Sequence, residues 1–182
     1  MSLSKDIEEY KDTSLINLNK IRKYYESLDF DDAIKKAAQG KNPDGGLNSH
    51  QYRLGYDLCE RSSRIISKDE YKRRIYKAKT FIDIFQVTEE IRMNTPKLGN
   101  LWSYDTALRI AFNKDRDENM LPNKVFVQCG VKKGVKKILN GKLPKGRSLP
   151  VDIFPEEVQK LKPYQIENFL CVWGSLKKRR SC

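Results

Sequence analysis

Histidine is almost absent from this chain: His50 is the only one in 182 residues. Any imidazole chemistry would therefore pass through that single side chain, which follows a glycine-rich loop. The four cysteines, Cys59, Cys129, Cys171 and Cys182, stand 70, 42 and 11 residues apart and form no CxxC pair. With one histidine and such spacing a zinc centre is not expected, and neither is any other cofactor. Reduced thiols in a cytoplasmic protein are the plain expectation. Long apolar runs are also missing, and none approaches the roughly 20 residues that a membrane-spanning helix needs. The polar, acidic opening MSLSKDIEEY does not read as a secretory signal, and its Met-Ser-Leu is set aside as a cloning scar. No membrane partner is expected. The P-loop, the dinucleotide fingerprint, the nucleophile elbow and the zinc-protease helix are all absent as sequence patterns.

Acidic residues are missing from two places where basic residues gather. Val131 to Arg147 (VKKGVKKILNGKLPKGR) holds seven lysines and arginines and no acid, and the terminal LKKRRSC holds four more. Together these segments carry nearly all of the formal net charge of +12. A localised positive field is a physical basis for binding a polyanion.

Charged residues make up 33% of the chain and hydrophobic ones only 38%, so the core is expected to be small and rich in aromatics. Apolar spacing of three and four predicts a helix over residues 13–28, and Asp31 and Asp32 open another that ends at Gly40. Residues 40–50 (GKNPDGGLNSH) read as a loop. Helical patterns then cover 50–63 and, as one long helix, 68–92, with Ile75, Ala78, Ile82, Phe85 and Ile91 near one face. The basic run YKRRIYKAK on this helix reads as a solvated face. Pro96 and Gly99 break it, and Ser103 is the expected cap of the next. Residues 113–119 read as a charged loop, and Lys124 to Gln128 is the one strand-like run, equally compatible with an extended segment or a helical turn. Pro155 and Pro163 suit the first turns of short helices, the second presenting Ile166, Phe169, Leu170 and Trp173 on one stripe. The expected fold is mainly α, a compact multi-helix domain with at most a minor strand element. The expected organisation is an N-terminal helical hairpin or lobe over 1–40, a main helical domain over 41–176 and a basic tail over 177–182.

At about 100° per residue, Val131, Val135, Ile138 and Leu139 fall on one side of a helix, and Lys132, Lys133, Lys136 and Lys137 on the other. One face can anchor in the core while four ammonium groups point outward. Lys142, Lys145 and Arg147 continue the positive surface through a loop containing Gly and Pro.

The segment TPKLGNL (Thr95 to Leu101) followed by SYDTALRIAF resembles the helix-hairpin-helix motif. In that family a glycine-containing hairpin brings backbone N–H groups to a DNA phosphate. The resemblance assigns Lys97, Leu98 and Gly99 to the hairpin, and Thr106 and Ala107 to the Thr-Ala that opens the second helix. It departs from the pattern in having one glycine where the family shows a pair, and in the extra residues Asn100 to Asp105. DNA glycosylases with this motif carry an aspartate after the second helix. Here Leu121 to Gln128 contains no acid, Phe126 stands near that place, and Asp152 lies far downstream. The resemblance therefore implies binding without cleavage. The SHQ and YDTALRI patterns are also similar to ones in uncharacterised bacterial proteins, which implies no function.

The leading expectation is a nucleic-acid-binding protein without sequence specificity or catalytic activity, with DNA favoured over RNA. Lys97, Gly99, Lys132, Lys133, Lys136, Lys137, Lys142, Lys145 and Arg147 would contact the backbone. The alternatives are an interaction module for an acidic protein, and an enzyme centred on His50. Asp29, Asp31 and Asp32 read as capping groups rather than metal ligands, and Asp105 with Arg109 as an i,i+4 ion pair.

Overall fold

In a computed structural model of the chain, residues 2–114 and 120–175 are described; the side chains of Ser49 and His50 lie outside that description. In chain order the elements are α1 (Leu3–Lys11), α2 (Ser14–Ser27), α3 (Phe30–Gln39), α4 (Ser49–Tyr52), α5 (Tyr56–Ile66), α6 (Asp69–Lys77), α7 (Phe81–Met93) and α8 (Asn100–Lys114). Then follow β1 (Val125–Phe126), α9 (Val131–Ile138), β2 (Ser148–Leu149), a single 3-10 turn (Val151–Ile153), α10 (Glu156–Gln159) and α11 (Pro163–Ser175). The fold is mainly α, and β1 pairs antiparallel with β2 as a two-stranded ribbon.

The chain forms two compact units. The first is contiguous, from Asn19 to Leu121. In it α3 packs against α5 and α8, and α8 against α7. Ala33, Ala37 and Ala38 on α3 are wholly buried, and their small side chains permit close approach. The last carbonyls of α3 would be orphans in an isolated helix. Gly40 takes φ 72°, and its N–H and that of Lys41 close the turn on Ala37 and Lys36. The Trp102 indole and the Ser62 hydroxyl donate to the Ala38 carbonyl at 2.9 and 3.1 Å, and the Tyr25 hydroxyl to that of Lys41 at 2.8 Å. Burial pushes the Tyr25 phenol up to about 12, against a smaller opposing pull from Arg109.

The second unit joins both chain ends, residues 1–18 and 122–182. Here α11 packs along α9 and against β1, while α1 meets α10 and α11. Ile7, Tyr10, Val131, Val135, Phe169, Leu170 and Trp173 share one apolar cluster. Tyr10 donates to the Gln165 carbonyl at 3.1 Å and meets the Phe169 ring edge-on.

Four expectations are corrected. The single helix over 68–92 is two, α6 and α7, because Thr80 and Asp83 form a reciprocal capping box that starts a new helix. The new register exposes Ile82 and buries Ile84. The helix over 50–63 is likewise α4 and α5, parted at Gly55, whose φ of 80° is foreign to a helix. Ser103 does not cap a helix. It lies inside α8, where its hydroxyl donates to the Glu89 carboxylate, which also holds Arg92 through two hydrogen bonds. Of the Met-Ser-Leu set aside as a scar, Ser2 caps α1 and Leu3 is its first residue.

Candidate nucleic-acid interface

Helix α9 opens after β1 and turns its valines inward, so that Val131 and Val135 are completely buried. Two fully buried aliphatic side chains contribute about 3–6 kcal/mol of gross hydrophobic stabilisation. Close approach to α11 adds to this. A Cβ placed on Gly134 would lie 2.2 Å from the Leu170 carbonyl oxygen, and one on Gly174 would lie 2.6 Å from the Gly134 nitrogen. The backbones of α9 and α11 thus touch at paired glycines, which fixes the roll of α9 about its axis.

That roll decides where the lysines go. Lys132, Lys133, Lys136 and Lys137 are all exposed, as the apolar and basic spacing predicts. Lys137 differs from the others: its ammonium sits 3.3 Å from the centre of the Trp173 ring, a cation–π contact. The indole N–H of Trp173 in turn donates to the Asp6 carboxylate at 2.8 Å. Among the described residues, Lys132, Lys133 and Lys136 form no ion pair with a carboxylate.

After α9 the chain reverses through Asn140 and Gly141, with φ of 51° and 86°, and the Gly141 N–H returns to the Lys136 carbonyl. The loop carries Lys142 and Lys145, both exposed, to Arg147, whose carbonyl accepts the Val127 N–H at 2.9 Å just before β2. The ribbon therefore ties the far end of the basic segment to the start of α9. Beside Lys142 and Lys145 lies an open groove of about 670 Å³, floored by Ile138, Leu149, Ile153 and Phe154.

Of the residues that sequence reasoning assigned to the backbone contact, Lys132, Lys133, Lys136, Lys137, Lys142, Lys145 and Arg147 belong to this unit. Lys97 and Gly99 belong to the contiguous unit, in the short link between α7 and α8. Leu98 is buried there, while Lys97 and Gly99 are exposed. Lys97 takes the left-handed conformation, φ 72°, and nothing lies within 4 Å of a Cβ built on Gly99. An approaching phosphate would meet open backbone at that glycine. The Thr-Ala correspondence differs from the family pattern: α8 opens at Asn100, so Thr106 and Ala107 are buried well inside it. Phe126 is buried in β1, and Asp152 is exposed in the 3-10 turn.

His50 lies in α4, and its side chain is outside the described residues, as are the 177–182 tail and the 115–119 part of the charged loop. Among the described residues no three His, Cys, Asp or Glu side chains gather so as to hold a metal ion, and no helix is long and apolar enough to cross a membrane.

Sequence reasoning missed the Gly134–Gly174 contact and the seat of Lys137 on Trp173. The signal for the first was the GVKKG spacing, which places Gly130 and Gly134 on one helical face. The second had no local signal, because Trp173 is far away in sequence. Comparisons with protein-family models, curated proteins and solved structures found no match.

Proposed function

We propose that this protein binds nucleic acid, DNA in preference to RNA, through its phosphate backbone, without sequence specificity and without catalysis. Lys132, Lys133, Lys136, Lys142 and Lys145, with Lys137 and Arg147 beside them, supply the affinity, and the Lys97–Gly99 hairpin adds a backbone contact. The observation that carries this reading is the exposure of the lysines of α9 on a helix whose opposite face is locked by valines and glycines. Lys132, Lys133 and Lys136 lack carboxylate partners among the described residues, so their mutual repulsion is relieved when phosphates replace bound counterions. No side chain is assigned to base edges, so affinity depends on charge and not on sequence.

The test is a salt titration of binding to duplex DNA, single-stranded DNA and RNA. For contact with about four to six phosphates, log K against log salt falls with a slope of about −4 to −5. A variant with Glu at Lys132, Lys133, Lys136 and Lys137 loses this binding and most of the slope. Unchanged affinity in that variant defeats the proposal. The apolar groove beside Lys142 and Lys145 favours a second reading, an acidic protein partner with apolar side chains. In that case DNA binding is weak and indifferent to the charge reversal.

A further inference from the structure

Helix α6 buries only Ile75 of its nine residues. Asp69, Lys72, Arg73, Tyr76 and Lys77 follow one another at the spacing that puts an apolar stripe on most helices. Here that stripe is charged and aromatic, and it lines an open groove of about 620 Å³ whose other wall is Phe30 and Asp31 at the start of α3. The volume lies within the range of small-molecule sites.

Tyr76 is 72% exposed, yet its ring is held. Its plane stands 75° to that of Phe30, with the centres 5.8 Å apart. The Lys114 ammonium lies 5.6 Å from the Tyr76 ring centre and 5.4 Å from that of Phe30. That ammonium donates to the carbonyls of Ile75 and Tyr76 at 3.0 and 2.7 Å, so the backbone end of α6 fixes it. A large aromatic surface is thereby presented to solvent in one orientation, which lowers the entropic cost of stacking on it.

The charges around the ring are uneven. Lys72 is paired with Asp31, and the two cancel. Arg73 uses its Nε on the Asp69 carbonyl at 3.2 Å. Among the described residues neither Arg73 nor Lys77 forms an ion pair, and both are exposed. The Asp69 carboxylate remains as an acceptor. A planar base with an exocyclic amine and an attached phosphate matches this set: ring on ring, amine to carboxylate, phosphate to the two cations.

We infer that the groove between α6 and the start of α3 binds an unpaired nucleotide, its base stacked on Tyr76 and its phosphate held by Arg73 and Lys77. The ligand is either a free nucleotide or an exposed base of a single strand. The inference goes beyond the lysine helix α9 and stands or falls separately from it.

The test titrates the full-length protein with AMP by calorimetry and with a labelled single-stranded oligo(dA) by fluorescence anisotropy. Parent, Tyr76→Ala, Tyr76→Phe and Arg73→Ala/Lys77→Ala are compared, each alone and with Glu at the four α9 lysines. Because Tyr76, Arg73 and Lys77 are at the surface, circular dichroism is expected to be unchanged. Tyr76→Ala weakens binding about tenfold, while Tyr76→Phe retains it. The double alanine variant weakens binding and flattens its salt dependence. Dependence on Tyr76 with both ligands assigns the site to free nucleotides; dependence with the oligonucleotide alone assigns it to a single strand. Persistence of the Tyr76 effect in the α9 variant supports the groove even where duplex binding has failed. Equal affinity of Tyr76→Ala and parent for both ligands, or no binding of either ligand to the parent, overturns the inference.

Discussion

A single missing methyl group sets the position of the basic helix. Gly134 lets α9 lie against the Leu170 carbonyl, and that oxygen belongs to backbone and has no rotamer to yield. Gly134→Ala therefore forces α9 and α11 apart. The expected cost is about 1–3 kcal/mol, read as a lower denaturation midpoint at an unchanged slope. The spacing of Gly130 and Gly134 hints at a close approach on one face of α9, but the contact itself stays hidden because its other half is supplied by α11. The lysine pattern was legible for the opposite reason: segregation of valines from lysines is a property of one helix alone. Cysteine reactivity separates at the same scale. Cys59 is buried, and that burial pushes its thiol above the ordinary value, while Cys129 is exposed. Titration with a thiol-reactive disulfide reagent near neutral pH is expected to modify Cys129 quickly and Cys59 only when the chain unfolds.

Helix boundaries were read less well than helix identities. Residues 68–92 keep nearly continuous helical spacing of apolar side chains, and that periodicity hid the break at Ala78 to Thr80. The deciding signal is Thr80 followed three residues later by Asp83. The Asp83 carboxylate accepts the N–H groups of Lys79 and Thr80, both at 2.9 Å, and Thr80 Oγ1 accepts the Asp83 N–H at 3.3 Å. These backbone bonds hold the Asp83 carboxyl below the usual carboxylate range. A lowered folded-state value means that the stabilisation is present above the unfolded value, near pH 4, and disappears as pH falls through the folded one. Asp83→Asn is thus expected to be less stable than the parent at neutral pH. The gap should close below about pH 4 in denaturant melts run across pH. Thr80→Ala is expected to cost about 1 kcal/mol at neutral pH, and less in acid, because the Thr80 side chain also helps to hold the Asp83 carboxyl in its ionised form. The Arg74–Glu90 pair, at 2.8 Å between α6 and α7, is half exposed and adds at most about 1 kcal/mol.

At the scale of the molecule, the unit bearing α9 is built from the two ends of the chain, and this closure was invisible in the sequence. The glycine-rich loop at residues 40–50 is the strongest local punctuation, so an N-terminal lobe ending near residue 40 was the natural reading. Tertiary contacts follow other rules, and α1 joins residues that lie more than a hundred positions downstream. Tyr10 shows how. It is buried with Phe169 and bonds the Gln165 carbonyl, and its hydroxyl stays protonated well above the ordinary tyrosine range because of burial first and the Glu167 carboxylate second. Tyr10→Ala removes this anchor and leaves a cavity, at an expected cost of about 3–5 kcal/mol. The consequence is expected to be local, because contiguous cooperative parts of a protein open with different free energies. Amide hydrogen exchange followed by mass spectrometry should show α9 and α11 losing protection in Tyr10→Ala while α7 and α8 keep theirs. Affinity for duplex DNA should fall in the same variant, although no lysine has changed, because the helix that aims the lysines has lost its support. Equal loss of protection in α7 and α8 would mean that the chain opens as one cooperative body, and the local effect on binding would then have to be sought through Gly134→Ala.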